Sequence, residues 1–424
     1  MKTMTKVVLS AASAASMVLW GCAPPVAEEA QPVDGAPAEK QLAAAGRSDS
    51  LDGLVREPMI VRHPAGRLFV SGYGSQVTGT NPESSPLLWS SDDDGATWKP
   101  VDVGDSSVGA AGNSDVDLHV GPEGTLYFAS MGFDRAERAG THIAIGASAD
   151  GGESWTWNRI SETKFDDRPW VRATPSGTAH AIWNDGEGVR HAVSSDRGQS
   201  WEERDAIYER GGSSHFAVGP SGELAVRIAP ISASGNVFDE GLELLAVSAD
   251  DGTTWTTHAV PGDRQWDPTF SDPNVVPRWV EPIAWTDDGR LHALWSEGAV
   301  VQFATSSDRG ESWSTGELTP VEGIAFFPYM IADGNALVAT WFEQDGEELH
   351  TRLARIDGGE ASEATLSERF QPDSFLEAPD PTVRNSAGEY VPPLVLPNGR
   401  HLVVTPIQDK ANERWGFTTW SFEL

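Results

Sequence analysis

The sequence predicts an all-β chain in which four-stranded antiparallel sheets repeat around a central axis. Three observations predict it. An eight-residue turn, S-x-D-x-G-x-[S/T]-W, occurs five times, beginning at Ser91, Ser148, Ser194, Ser248 and Ser306. A second element, strand, glycine turn, strand, occurs seven times, with turn glycines at Gly66, Gly124, Gly177, Gly222, Gly289, Gly334 and Gly399. The composition, with 17 Trp, 43 Gly and 28 Pro in 424 residues, suits many short strands joined by turns rather than helices. Each unit then supplies two strands, a connection and a second hairpin, and such units arranged radially form a β-propeller of seven blades, or six if one unit is an edge or closing strand.

The N-terminus stands apart from the repeats. Lys2 and Lys6 precede an apolar stretch from Val7 to Trp20 that is too short for a stable membrane span. It ends in Leu19-Trp20-Gly21-Cys22, which resembles a bacterial lipoprotein signal, with Trp20 where a small residue is usual. The resemblance implies that residues 1–21 are removed and that Cys22 is lipidated; the alternative is an ordinary secretory signal with an incidental cysteine. Cys22 is the one cysteine of the chain, so an intramolecular disulfide and a cysteine metal site are excluded. Residues 22–53, rich in Ala, Pro, Glu and Gln and without hydrophobic periodicity, read as a disordered tether, and the propeller is expected over 54–424. The formal net charge of −33 disfavours nucleic acid and anionic lipid surfaces as partners.

The recurring turn is architecture rather than a catalytic centre, because a catalytic site is normally unique. Its aspartates, Asp93, Asp150, Asp196, Asp250 and Asp308, can accept backbone N–H groups, its glycines permit positive φ, and its tryptophans can plug the space between sheets. Asp92-Asp93-Asp94-Gly95 lacks the alternating ligands, later Glu and flanking helices of a calcium loop, so no metal and no cofactor are expected. A degenerate copy, RIDGGEAS, surrounds Asp357, and the seventh unit has none. A strand from residues before Arg56 is the natural candidate to complete the last blade and close the ring.

The five turns resemble those of the Asp-box, or bacterial neuraminidase repeat, propellers, a group similar in fold to sialidases. The resemblance implies the fold, not an activity, since glycosidases and non-enzymatic assembly factors and receptors share it. It implies that the Asp turns and the glycine turns lie on one face, and that the blade-to-blade connections and the entrance of the central channel lie on the other. Several inner strands open there with an X-Pro step expected to hold the preceding residue extended. Arg56, Glu57, Asp117, Arg168 and Glu281 are expected to ring one funnel, with His215 in a comparable place, either as a site or as salt bridges between blades. Long connections converge on that face, and their aromatics Trp266, Phe270, Trp279 and Phe375 are candidates to stack on sugar rings or to cover the blade tops.

A sialidase needs an arginine triad, an Asp acid/base and a Tyr nucleophile activated by a Glu. Val55-Arg56-Glu57-Pro58 resembles that family's Arg-Ile-Pro motif, with Glu57 in place of Ile, so Arg56 is the residue carried over. Glu281 and Tyr329 are chemically suited to the glutamate and tyrosine roles, and Arg384 to a later arginine. Between Tyr73 and Pro86 there is no Asp to serve as acid/base, only Glu83. The expectation is therefore a monomeric envelope lipoprotein whose loop-rich face binds a glycan or an extracellular protein. An exo-sialidase-like hydrolase and an assembly scaffold for a membrane complex are the alternatives.

Overall fold

The computed structural model describes residues 41–50, 55–73, 81–229, 244–261, 280–320, 323–346, 348–361, 364–370, 389–409 and 414–423. They form seven antiparallel blades, and among them there is no α-helix. Blade 1 is Arg56–Arg62, Leu68–Tyr73, Leu87–Ser91 and Lys99–Pro100, written from the axis outwards. The next five follow the same order, with inner strands Ser114–Val120, Asp167–Ala173, Gly212–Val218, Ile283–Trp285 and Ile324–Asp333. Blade 7 is Pro393–Val395, His401–Asp409 and Arg414–Phe422, and its outer strand is Ala44–Ser50. The N-terminal side of the chain thus zips onto the C-terminal strand, from Ala44 opposite Phe422 to Ser50 opposite Phe417. That strand corrects the expected boundary at residue 54, since it lies within the segment assigned to the tether. Gln41–Leu42 adds a short parallel strand to the outer edge of blade 6. Residues 1–40, including Cys22, lie outside the described residues.

Apolar residues alternate along the strands and fill the spaces between blades. Trp89 and Trp98 of blade 1 meet Phe417 of blade 7 edge-on at 5.3 Å. Trp255 of blade 4 stands edge-on to His191 of blade 3. The inter-blade core is a series of clusters of this kind.

Each complete Asp turn joins the third strand to the fourth and satisfies itself. In blade 1 Ser91 Oγ donates to Asp93 Oδ1 at 2.7 Å and accepts from the Gly95 N–H at 2.9 Å. Asp93 also accepts from the Thr97 N–H at 2.8 Å and the Thr97 hydroxyl at 2.6 Å. The same bonds recur around Asp150, Asp196, Asp250 and Asp308. Two successive left-handed residues make the turn tight enough, Asp94 at φ 56° and Gly95 at φ 84° in blade 1. At the corresponding place in blade 6, Asp357–Gly359 forms a 3-10 turn.

The inner strands run from the opposite face, and most carry an irregularity at that end. In blade 1 Arg56 pairs with Tyr73, Glu57 and Pro58 are skipped, and pairing resumes at Met59. Blade 3 skips Arg168-Pro169 and blade 6 skips Phe327-Pro328, while blades 2 and 4 skip Asp115 and Ser214. Proline has no N–H to give the ladder, so the strand bulges. The residue before it is left-handed rather than extended as expected, with φ 48° at Glu57, 49° at Arg168 and 48° at Phe327. Because Phe327 shares the conformation, it belongs to the bulge and not to a particular chemistry.

Candidate functional site

The bulges throw side chains into the entrance of the channel, and three of the expected residues meet there: Arg56, Glu57 and Arg168. The Arg168 guanidinium donates to Glu389 Oε2 at 3.0 Å and stands 3.8 Å from Asp167 Oδ2. The Glu389 backbone N–H donates to Glu57 Oε1 at 3.2 Å. Arg56 lies 5.7 Å from the centre of the Tyr73 ring, and Asp115 accepts from the Ser114 hydroxyl at 3.1 Å. Blades 1, 2 and 3 and the segment leading into blade 7 therefore contribute to one ionic cluster. Glu57, Arg168 and Glu389 are buried, whereas Arg56, Asp115 and Asp167 are partly open to solvent.

Burial dominates the electrostatics of this cluster. Loss of solvent, then the neighbouring Asp115 and Glu389, push the Glu57 carboxyl well above its ordinary range. Burial followed by the charge of Asp115 raises Asp167 to about 8, and burial, opposed by Arg168, raises Glu389 to about 7. Burial works against the charge of Arg168, yet Glu389, Tyr390, Asp167 and Asp115 outweigh it and its pKa rises. At neutral pH the cluster holds protons that isolated carboxylates would have lost. Such displaced carboxyls mark functional sites and structural ion-pair networks alike, and of the three only Asp167 keeps part of its side chain in solvent.

Next to the cluster, buried aromatic rings pack on one another. Trp170 lies 5.1 Å from His215 and 5.5 Å from Tyr390, and Tyr329 lies 5.3 Å from His215 and 6.2 Å from Tyr390. Burial raises the Tyr329 phenol and holds His215 well below its ordinary value. Asp117 belongs with these rings, not with the mouth, and takes the Arg172 guanidinium and the Val171 N–H as partners. The register explains the displacement. Asp117 pairs opposite Ala129 two residues beyond the bulge, and Asp115 occupies the bulge itself. Glu281 also departs from the expected ring, since it is buried and ion-paired with Arg227 at 2.8 Å. For Asp117 and Glu281 the salt-bridge alternative is the one observed.

The sialidase constellation is not assembled by these contacts. Tyr329 faces Arg172, and Glu281 is engaged by Arg227. Glu83, the one acid in the first long connection, is bonded to Arg159 at 2.6 Å, a contact that lowers its pKa, the reverse of what a general acid requires. Arg384, Trp266, Trp279, Phe270 and Phe375 lie outside the described residues. No group of three His, Cys, Asp or Glu suited to a metal occurs among the described residues.

No family model matches the chain, and no curated protein matches it. Solved propellers do resemble it. A polysaccharide lyase of family PL25, an ulvan lyase bound to a GlcA(1-4)Rha3S repeat, is 12% identical with a TM-score of 0.52 over 88% of this chain and 94% of the lyase. The α-L-arabinanase of Penicillium chrysogenum complexed with arabinobiose is 15% identical, with a TM-score of 0.46 over 91% of this chain and 98% of its own. YCF48 bound to the D1 peptide is 16% identical, with a TM-score of 0.48 over 91% and 96%. At these identities the likeness shows the fold.

Sequence reasoning missed Asp115, Glu389, Tyr390 and Arg172, and passed over Asp167 although it flanks Arg168. Aligning the blades at this end recovers Asp115 and Asp167, which lie at the start of their inner strands as Arg56-Glu57 does in blade 1, and the Glu389-Tyr390 step just ahead of Pro393–Val395, but not Arg172, which sits in the regular ladder opposite His180.

Proposed function

We propose that this protein is a monomeric lipoprotein of the cell envelope, anchored through Cys22, whose Asp-box propeller binds a glycan at the channel mouth. The supporting observation is the partly open cluster of Arg56, Glu57, Asp115, Asp167, Arg168 and Glu389 beside packed aromatic rings. Carboxyls and guanidiniums held side by side by their own ion pairs supply the acceptors and donors that sugar hydroxyls require. The ulvan lyase of similar fold holds a polysaccharide repeat, which makes glycans the first class to examine. Binding is favoured over sialidase-type turnover because the two residues suited to the nucleophile pair are engaged by different arginines.

A glycan array probed with the chain tests this. Capture of a defined glycan family, lost in Arg168→Met with the fold retained, is the expected result. A chain that captures no glycan but pulls down one envelope protein overturns it in favour of the scaffold alternative. A fluorogenic sialoside should remain intact from about pH 4 to 8, the range that spans ordinary carboxylate and histidine titration. Cys22→Ser should move the protein out of the membrane fraction with its melting unchanged, and retention in that fraction would refute the anchor.

A further inference from the structure

At the Asp-turn face the turn of one blade packs on the blade before it. The backbone at Gly152 of blade 2 lies against Phe69 of blade 1, that at Gly198 of blade 3 against Tyr127 of blade 2, and that at Gly310 of blade 5 against Leu245 of blade 4. Blade 4 packs on histidine instead. A Cβ on its turn glycine, Gly252, would stand 2.7 Å from His191 Cε1 and 3.3 Å from His180 Nδ1. Both rings are fully buried, and they stack with centroids 5.3 Å apart and 14° between their planes. His180 follows its hairpin glycine by three residues, as Phe69 and Tyr127 do, and His191 pairs opposite the fifth residue, the place of Leu88 in blade 1 and Ile145 in blade 2. Two places that are apolar in blades 1 and 2 are therefore filled in blade 3 by rings that can take up protons.

The hydrogen bonds of the pair leave no place for a further proton. His180 Nε2 donates to Asp251 Oδ1 of the blade 4 turn at 3.2 Å, which leaves its Nδ1 to accept from His191 Nε2 at 3.1 Å. His191 Nδ1 is closed off from water and has no partner among the described residues. A proton added there finds no acceptor. A proton added to His180 Nδ1 sets N–H against N–H, unless His191 moves its own hydrogen to Nδ1, where again nothing accepts it.

We propose that the seam between blades 3 and 4 is an acid-released joint, closed while His180 and His191 are neutral and opened locally, with the neighbouring seams intact, when the pair takes up a proton. The charged groups facing the pair are Asp251 from the turn of blade 4 and Arg204 beyond the outer strand of blade 3, and the other neighbours, Thr178 and Trp255, do not titrate in this range. Asp251 is partly open to solvent and already takes its hydrogen bond from neutral His180. Burial, then His180 and Arg204, hold His191 at about 3 in the closed seam. Released, it titrates near the ordinary value of about 6.5. Opening therefore takes up one proton between these values, so the joint is closed at neutral pH and its opening constant rises about tenfold for each pH unit below about 6.5.

Thiol trapping in the full-length chain tests the proposal. Cys22→Ser removes the chain's own thiol. In that background Ala246→Cys places a probe in the apolar cluster that Ile182 of blade 3 shares with Val226 of blade 4, and Ala181→Cys places a control in the cluster joining blades 2 and 3. Both positions are fully buried. Labelling with a pyridyl disulfide is followed from about pH 8 to about 4.5, and the ratio of the two rates cancels the titration of the thiol itself. The ratio of seam to control should rise about tenfold per pH unit below about 6.5. His180→Phe together with His191→Leu, the residues that Phe69 and Leu88 supply in blade 1, should abolish the rise. If that pair does not fold, His180→Tyr with His191→Ile, after Tyr127 and Ile145 of blade 2, should do the same. If Ala246→Cys does not fold, hydrogen exchange of Leu244–Ser248 against Leu126–Asp134 gives the comparison without a substitution. A ratio that stays constant with pH, whether neither site reacts or both open together, overturns the proposal. So does a rise that survives replacement of both histidines.

Discussion

The carboxylates at the two ends of the blades are held in opposite ways. Those of the Asp turns lie at the surface, and each is satisfied within seven consecutive residues by a serine hydroxyl, a backbone N–H and a Ser or Thr hydroxyl. These bonds lower their pKa values, the hydroxyl of Ser154 and its N–H taking Asp150 to about 2. At the channel mouth Glu57, Asp167 and Glu389 come from distant sequence positions, and burial raises their pKa values. The first set is local, repeated and self-sufficient, so it builds the fold. The second is non-local, and each of its members depends on neighbours brought from other blades.

The largest test of that contrast is Arg168→Met. Removing the guanidinium leaves buried Glu389 without its ion-pair partner, and urea unfolding at pH 7 should show a loss of about 3–5 kcal/mol, the cost of breaking a buried ion pair from one side. A loss below about 1 kcal/mol would class the pair with exposed salt bridges and break the contrast. Asp196→Ala removes the bonds of one turn and should cost about 1–2 kcal/mol, with ligand affinity of the folded protein unchanged. A variant with normal melting and no affinity would make the turn a site.

Stability against pH sharpens the same comparison, because the two sets have opposite signs. Asp167 and Glu389 have folded values of about 8 and about 7, above their unfolded ones. Their contribution is complete below about pH 4 and is lost as pH rises through 7 and 8. Asp150, at about 2, contributes above its unfolded value and loses that contribution as pH falls toward 2. Urea midpoints followed from pH 3 to 9 should therefore rise first and then decline, with Glu389→Gln flattening the alkaline limb alone. The smallest expected effect is Asp167→Asn at pH 3, within about 0.5 kcal/mol, because the carboxyl is protonated there in both the folded and the unfolded chain. By pH 9 the same substitution should be stabilising, and a destabilised variant at that pH would reverse the sign assigned to the cluster.

The five turns and the seven glycine hairpins were legible because each is a local device. Ser, Asp and Gly two residues apart fold into one turn whatever lies around them, and the propeller follows from repeating it. Arg56, Glu57 and Arg168 were legible for a related reason, since an X-Pro step marks the same place in blades 1, 3 and 6. The rest of the site required a register. Asp117 and Asp115 are two residues apart in the sequence, and only the bulge opposite Ser130 and Met131 buries one against Arg172 and leaves the other partly exposed. Glu281 looks like Glu57 in its own motif, and what separates them is Arg227 from the neighbouring blade, which pairs the first and leaves the second among other acids. Short-range hydrogen bonding is written in adjacent residues and was determined by the sequence. Burial and the charge of distant neighbours exist only once the ring has closed, so which carboxyl holds a proton and which is already paired was decided by the tertiary structure.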